Sequence, residues 1–317
     1  MLLIYRKVCQ DERAKLAQLA TRKCVFQRSI AQLTSISSSH RTVAKATPSL
    51  PHTHQKVPAA PLISEDLLRC VTSVEHALGS GRFGQCTRMV YKDIFAVCVK
   101  KMDAEVVWSA VRSEAAILYA LNTGDSTPHC FGVCLALHSI VMSYIHVDNK
   151  PVTMYTLLHK REDLNIALSK QQCIMTLVGV CKGLQYINGQ GFLHNDIKLD
   201  NVVLGTNRTG ELKPYIIDFG KACQIDCGKR YVLDDCERER FKVEHTHIAP
   251  DLRDGLVPQS ITTDTYSYGR ILKRCNSVVI RSIKLKGFSR IVLSYHSKDR
   301  PHLDSILSVL TQELVYE

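Results

Sequence analysis

The chain has 317 residues, 45% of them hydrophobic, and this composition excludes wholesale disorder because it can supply a sizeable core. The formal charge is +11, but residues 1–64 hold ten Lys or Arg against two Asp or Glu, so they carry +8 of it. No apolar run approaches the roughly 20 residues that a membrane-spanning helix needs. We therefore predict no membrane span, and a basic character concentrated in the first 64 residues.

The thirteen cysteines, an odd number scattered through apolar segments, are typical of buried, reduced thiols rather than of a disulfide framework. This favours a reducing compartment, and we expect a cytoplasmic protein, with the nucleus as the alternative. Asp11 and Glu12 interrupt the basic N-terminal segment, which disfavours a mitochondrial presequence.

Residues 1–64 are predicted to form a basic, flexible extension and linker. Ser, Thr, Pro and His dominate residues 35–61, a composition that breaks regular elements. The positive charge suits nucleic acid, anionic lipid or an acidic partner, but a solvated arm that only keeps the chain soluble is the favoured interpretation. The sequence contains no specific nucleic-acid-binding motif.

The segment that follows has the composition of a β-sheet with one helix. Strands are predicted where β-branched and aromatic residues cluster, and apolar residues at helical spacing predict an amphipathic helix over 107–121. In chain order, the predicted strands cover residues 71–75, 89–91, 94–100, 130–135 and 138–144.

Helical patterns dominate the rest of the chain, and Ser169 is a suitable cap for the first of them. A block of strands followed by a block of helices predicts an α+β fold of two lobes that join near residue 145. The helices are predicted at 172–190, 264–275, about 288–296 and 302–315.

A glycine-rich turn separates the first two predicted strands. Glycines allow a backbone to approach phosphate oxygens closely, so that its N–H groups can contact them. A dinucleotide-binding fold would need a helix directly after this turn, whereas a strand is predicted here. The turn reads Gly79-Ser80-Gly81-Arg82-Phe83-Gly84-Gln85-Cys86.

Lys100 ends the strand predicted at 94–100. Burying its ammonium group costs free energy unless negative groups meet it, and ATP phosphates together with a helix carboxylate would serve. Glu114, inside the helix predicted at 107–121, is the expected carboxylate. Glu105 is the alternative, but it lies too early along the chain.

The most specific signal is a polar run that is followed, 17 residues later, by a second motif. Together with the glycine-rich turn, Lys100 and Glu114, these motifs have the order and spacing by which the chain resembles the protein kinase superfamily. The resemblance covers about 250 residues and implies a protein-kinase-like catalytic domain at 65–317, with a β-rich N-lobe at 65–145 and a mainly helical C-lobe at 146–317. The two motifs are His194-Asn195-Asp196-Ile197-Lys198-Leu199-Asp200-Asn201 and Asp218-Phe219-Gly220.

Three later landmarks agree with the resemblance. Ala249-Pro250-Asp251 is similar to the Ala-Pro-Glu that closes the activation segment of the family, and residues 264–269 resemble the start of its central C-lobe helix. Arg300, in an Asp-Arg-Pro run, is expected to pair with the carboxylate of Asp251.

The resemblance implies a role for each motif in phosphoryl transfer, a reaction that needs positioning and charge neutralisation more than covalent help. Lys100 would hold the α and β phosphates of ATP and would be oriented by Glu114. Asp196 would orient the substrate hydroxyl and accept its proton, and Lys198 would steady the γ-phosphate.

The resemblance also implies an ATP site and a magnesium site. Asn201 and Asp218 would bind Mg²⁺. Cys86 and Cys98 occupy the positions whose side chains cover the adenine ring in the family. The expected ATP-binding residues are Gly79, Ser80, Gly81, Arg82, Phe83, Gly84, Cys86, Cys98, Lys100, Met142, Ser143 and Tyr144.

The chain departs from the family pattern at four places. Asn195 replaces the arginine that often binds a phosphorylated activation loop, and asparagine cannot pair with a phosphate as arginine does. The segment 244–247 lacks the usual Gly-Thr pattern, so the resemblance does not predict the details of the substrate pocket. Only 36 residues separate Asp264 from Arg300, so the helix between the central and late C-lobe helices is expected to be reduced. Asp251 is shorter than glutamate but keeps its charge.

Three functions fit these motifs. The first is an active protein kinase, and Lys198 two residues after Asp196 is the serine/threonine pattern. The second is a pseudokinase that binds nucleotide and acts as an interaction module, which the reduced helix favours. The third is a small-molecule kinase of the choline type, since His-Asn-Asp occurs there too.

Overall fold

The computed structural model describes residues 57–70, 77–81, 84–159, 167–207 and 210–315. Several predicted features lie outside these ranges: the extension up to residue 56, the strand at 71–75, and the loop residues Arg82 and Phe83. In the described part of the chain, no helix combines the length and apolar character needed to cross a membrane.

The N-lobe is an antiparallel sheet in the order β1-β3-β4-β6-β5, in which β2 also pairs with β3. One helix, α1 (Trp108–Ala120), lies between β4 and β5 in the chain and packs against β5. The strands are β1 (Leu68–Cys70), β2 (Ala77–Gly81), β3 (Gly84–Tyr91), β4 (Phe95–Met102), β5 (Cys130–Cys134) and β6 (Ser139–Ser143).

The chain just before β1 extends the edge of this sheet. The N–H of Ile63 donates to the Val133 carbonyl, and the N–H of Val133 donates to the Pro61 carbonyl, each at 2.8 Å. Gly132 has a φ of +147°, and a Cβ there would lie 2.2 Å from the Pro61 oxygen. Only glycine therefore lets this segment approach β5.

The C-lobe is mainly helical, with a three-stranded and a two-stranded sheet beside residues 194–201, which we call the catalytic loop. Its helices are α2 (Met154–His159), α3 (Lys170–Gly189), α4 (Asp235–Glu244), α5 (Pro250–Arg253), α6 (Ile261–Cys275), α7 (Ile283–Val292) and α8 (Leu303–Val315). Its strands are β7 (Val152–Thr153), β8 (Phe192–Leu193), β9 (Val202–Thr206), β10 (Leu212–Ile216) and β11 (Cys223–Gln224).

Helix α3 forms the centre of the C-lobe core. Its buried residues recur every three or four positions, as a helix with one packed face requires. Ser169 caps it as predicted: its side chain accepts the N–H of Gln172, whose side chain accepts the N–H of Ser169. The fully buried Tyr268 of α6 donates its hydroxyl to the Leu177 carbonyl at 3.0 Å. The α+β prediction of a β-rich N-lobe and a helical C-lobe is confirmed.

The helix expected at about 288–296 is displaced. Helix α7 covers Ile283–Val292, because Ser282 accepts the N–H of Leu285 and so caps an earlier start. Leu285 and Val292 then face the core. Between α6 and α8 the described chain thus has one ten-residue helix, preceded by a π-helical turn at Asn276–Ile280.

Candidate active site

Strand β4 separates core residues from cleft residues by simple alternation. Val97 and Val99 point into the outer N-lobe core, with Met89 and Val141. Successive side chains of a strand lie on opposite faces, so Cys98 and Lys100 share the other face. This alternation turns Lys100 toward the interior between the lobes.

Two carboxylates bind the Lys100 ammonium. Its Nζ donates to Glu114 Oε1 and to Asp218 Oδ1, at 2.7 Å each. Glu114 lies on the buried face of α1, beside Val111 and Ala115. Burial disfavours the charge of Lys100, but the two carboxylates outweigh burial and raise its pKa above its usual range. This contact joins the N-lobe to the Asp218-Phe219-Gly220 motif of the C-lobe.

Helix α6 holds the backbone of the catalytic loop in place through Asp264. Both oxygens of Asp264 accept backbone N–H groups, from His194 at 2.8 Å and from Asn195 at 2.9 Å. Burial raises the pKa of Asp264 to about 6, although these two donors oppose the shift. Asn195 has a φ of +63°, a left-handed conformation that asparagine tolerates better than most residues. This strained residue places Asp196 at the cleft.

Asp196 is buried, and its carboxylate accepts hydrogen bonds from four side chains. Lys221 Nζ at 2.8 Å and His247 Nε2 at 3.0 Å contact Oδ1. Lys198 Nζ at 3.0 Å and Asn201 Nδ2 at 3.1 Å contact Oδ2. Burial alone would raise the pKa of Asp196, but His247 and the lysines hold it far below its usual range. The carboxylate is therefore ionised throughout the physiological pH range.

The contacts of Lys221 and His247 with Asp196 were not predicted from the sequence. Their only sequence signals were weak: Lys221 follows Gly220 directly, and His247 lies in the segment that lacks the Gly-Thr pattern. Neither signal specifies a contact, because 25 and 51 residues separate these side chains from Asp196.

Asn201 and Asp218 suit a magnesium ion. Asn201 donates its amide N–H to the Asp196 carbonyl at 2.8 Å, and Asp218 uses Oδ1 for Lys100. Asn201 keeps its amide oxygen Oδ1 and Asp218 keeps Oδ2 for the ion, and Mg²⁺ favours oxygen ligands from one or two side chains plus phosphates. Within the described residues, no group of three or more His, Cys, Asp or Glu could hold a metal by itself. When bound, the ion would neutralise charge on the phosphates of ATP.

The glycine-rich turn closes against β4. Gly84 has a φ of +152°, and a Cβ there would lie 2.1 Å from the Lys101 carbonyl oxygen, so the turn depends on glycine at this position. Gly79 also has a positive φ, and the backbone of Ser80 and Gly81 pairs with Gln85 and Gly84.

Cys86 and Cys98 lie on the same face of the sheet as Lys100. Cys86 is directly opposite Lys100 in the β3–β4 pairing, and Cys98 lies two residues before Lys100. A hydrogen bond from the Cys98 thiol, with the nearby Lys100 ammonium, lowers the pKa of Cys86 against the effect of burial. The same contact, together with burial, raises the pKa of Cys98 well above its usual range.

Residues 142–144 connect the N-lobe sheet to the C-lobe. Met142 is buried and pairs with Cys98 across β4 and β6. Ser143 Oγ accepts the His129 N–H at 3.0 Å, and the Tyr144 hydroxyl donates to the Asn149 carbonyl at 2.7 Å. The structure thus places Met142 next to Cys98.

A buried ion pair fixes the end of the activation segment, residues 218–251, to the C-lobe core. Arg300 Nη2 lies 2.6 Å from Asp251 Oδ1, and both side chains are almost fully buried. The guanidinium also lies over the Tyr266 ring, 5.1 Å from its centroid. The shorter carboxylate of Asp251 therefore reaches the arginine.

Comparison with known proteins identifies the family. The family model described as the protein kinase domain matches residues 72–281, which is more than half of the chain. This chain belongs to the protein kinase superfamily. The motifs from the glycine-rich turn to Asp251 lie within the matched range, which ends before α7, whereas Arg300 lies beyond it.

Individual kinases are similar over parts of the chain. The smooth-muscle myosin light chain kinase of Gallus gallus is 29% identical over 169 residues, which are 51% of this chain and 8% of that protein. Serine/threonine-protein kinase 16 of Homo sapiens is 30% identical over 105 residues, 32% of each chain. The chain thus spans well under two thirds of the length of these relatives.

Proposed function

We propose that this chain is an active protein kinase that transfers the γ-phosphate of ATP to serine or threonine hydroxyls of proteins. One observation carries the proposal: Lys100 binds Glu114 and Asp218 at 2.7 Å each, so the phosphate-binding lysine, its helix carboxylate and the metal-binding aspartate are assembled together. The presence of Asp196 and Asn201 together with Lys100 and Asp218 opposes the pseudokinase alternative.

The choice of hydroxyl rests on Lys198. It lies 3.0 Å from Asp196 Oδ2, beside the position where the family places the γ-phosphate and the acceptor hydroxyl. The myosin light chain kinase and serine/threonine-protein kinase 16 relatives carry names that agree with transfer to proteins, and in the second case to serine or threonine.

Phosphotransfer from labelled ATP, with the full chain and four acceptors side by side, tests the proposal. The acceptors are casein, a Glu-Tyr copolymer, choline and no acceptor, and Asp196→Asn is the control enzyme. We expect label on serine or threonine of casein, well above the control. Label on choline alone would indicate a small-molecule kinase, and binding of MgATP without transfer would indicate a pseudokinase.

A further inference from the structure

The two oxygens of the Asp196 carboxylate are held by different parts of the protein. The donors to Oδ2, Lys198 and Asn201, have roles toward the γ-phosphate and the metal in the proposed reaction. The donors to Oδ1, Lys221 and His247, come from the two ends of the activation segment. When Lys198 turns to a phosphate, Oδ2 gains a free acceptor position while Oδ1 stays engaged.

His247 is the more rigid of the two donors to Oδ1. Its side chain is 12% exposed, whereas that of Lys221 is 33% exposed. The hydroxyl of Ser267, on α6, donates to the His247 carbonyl at 2.7 Å and so fixes its backbone. An imidazole also has fewer rotatable bonds than the four-carbon stem of a lysine. The His247 backbone is therefore anchored to α6, and its short, largely buried side chain keeps the ring Nε2–H beside Asp196.

Among the residues that the structure describes, Asp196 is the hydrogen-bonded partner of the His247 ring. Asp196 faces it from the catalytic loop, and Lys221 shares the same carboxylate oxygen. His245 lies beside it in the segment, with ring centroids 6.0 Å apart. The ring of His245 packs instead on Phe241, at 4.5 Å between centroids, so this neighbouring histidine serves as a matched control.

We propose that His247 is a positioning residue for phosphoryl transfer: its Nε2–H donates to Oδ1 of Asp196 and fixes the rotation of the carboxylate, so that Oδ2 is presented to the hydroxyl of the protein substrate. This inference rests on the proposed kinase function. No proton leaves the imidazole, which acts through Asp196 and does not touch the reacting atoms. The contribution is geometric, since a displacement of about 1 Å at a reacting group can cost about 100-fold in rate.

Replacing His247 by residues with and without a donor at the Nε2 position tests the role. The glutamine amide nitrogen can occupy that position, whereas leucine has no donor and the shorter asparagine does not reach it. We expect His247→Leu and His247→Asn to lower kcat by about 10- to 100-fold. KM for ATP and the MgATP-induced rise in Tm should stay unchanged. His247→Gln should keep most of the parent kcat, as should the control His245→Leu.

Two results would overturn the proposal. One is a parent-like kcat in both His247→Leu and His247→Asn. The other is a loss in His247→Gln as large as in His247→Leu, since the N–H donor would then not be the property that matters. Because glutamine and asparagine are both polar, their comparison remains valid if the leucine variant fails to fold.

A second measurement does not depend on catalysis and so separates this inference from the proposed function. The Tm of the parent, His247→Leu, Asp196→Ala and the double variant form a cycle, in which alanine removes the acceptor oxygens of residue 196. We expect the double variant to lose less than the sum of the two single losses, because both changes remove the same contact. Strictly additive losses in Tm would show that His247 and Asp196 do not interact. If the losses are not additive but the parent is inactive, only the proposed kinase function is overturned.

Discussion

At the residue scale, the chemistry of the site converges on one carboxylate. Asp196 accepts four side-chain hydrogen bonds, yet it is also the group that the family motif assigns to the substrate hydroxyl. Its donors make it an ionised, oriented acceptor rather than a strong base, because they hold its pKa far below the usual range. Changes at Asp196 should therefore affect turnover far more than nucleotide binding.

Replacing Asp196 by asparagine keeps the shape of the side chain and removes its charge. We expect phosphotransfer to fall by about 10²- to 10⁴-fold, the usual contribution of a positioned proton acceptor. MgATP should still raise the Tm, because Asp196 acts on the hydroxyl. Initial rates and melting curves measured on one preparation check both parts. Equal rates for the variant and the parent would contradict the active-kinase proposal.

Bound nucleotide should shield Cys86 and Cys98 from alkylation, since both lie on the face of the sheet that carries Lys100. Without nucleotide, Cys86 should react first, because the Cys98 thiol and Lys100 favour its thiolate. Site-resolved mass spectrometry after timed alkylation, with and without MgATP, measures both effects. Cys227 and Cys236 are exposed and provide the internal control.

These control cysteines should react at the same rate in both conditions. If Cys86 and Cys98 also react equally fast under saturating MgATP, the nucleotide does not bind beneath β3 and β4. The assignment of Lys100 to the phosphates would then fail as well.

At the element scale, the activation segment is held by contacts that need no phosphate. Arg230 donates to the Leu256 carbonyl at 2.6 Å, and Lys221 binds Asp196. Asn195, where the family often has arginine, donates instead to the Lys221 carbonyl at 3.1 Å. Arg230 and Lys221 are thus both engaged in contacts within the protein.

Phosphatase-treated protein should accordingly keep most of its initial rate. If the segment needed a phosphate, Tyr231 and Thr246 would be the first candidates to carry it. Thr246 is exposed, and Tyr231 is partly buried near Phe241. Rates before and after treatment, with phosphorylation followed by mass spectrometry, provide the measurement. A large loss that is reversed when either residue is rephosphorylated would show that the segment does need a phosphate.

The buried ion pair at the end of the segment has a stabilising role. Arg300→Ala would leave the carboxylate of Asp251 buried without its cation, and we expect a loss of about 3–5 kcal/mol in the free energy of unfolding. Urea denaturation of the full chain measures the loss. Arg238→Ala, which breaks an exposed pair with Asp235, should cost far less because solvent screens that pair. Similar losses for the two variants would mean that burial of the Arg300 pair is not what matters.

At the scale of the whole molecule, Lys100 and its two carboxylates join the lobes. Glu114 comes from the N-lobe helix and Asp218 from the C-lobe, and a nucleotide between the lobes would contact this group from the cleft. A ligand that binds only the folded protein raises its stability, by about 2.7 kcal/mol at a hundredfold excess over its Kd. Nucleotide binding should therefore be visible as a change in the unfolding of the whole domain.

We expect millimolar MgATP to raise the Tm of the full chain, and Asp218→Ala to remove most of that rise. ATP with a chelator should have a smaller effect, since the metal supports binding. Asp226→Ala, at an exposed aspartate of the same segment, is the matched control and should respond like the parent. No rise for the parent protein would favour the pseudokinase.

An element could be predicted from the sequence where its residues form a local pattern, and could not where they do not. Helix α3 was predictable because its buried face repeats every three or four residues and its cap is local. Helix α4 has no buried residue, so it has no such pattern; only the capping pair of Asp234 and Glu237 marks its start. The strands β9 and β10 were not predicted, because Gly205 and Pro214 interrupt their apolar runs and both residue types are unfavourable within a strand.

By itself, the sequence determined the family, the two lobes and the motif residues, since each motif is a short run whose order along the chain carries the information. It could not determine which side chains surround Asp196. Lys221 and His247 reach that carboxylate only after the activation segment folds back on the catalytic loop and α6 anchors the His247 backbone through Ser267. Contacts between residues 25 and 51 positions apart depend on how the chain packs, and the tertiary structure alone decided them.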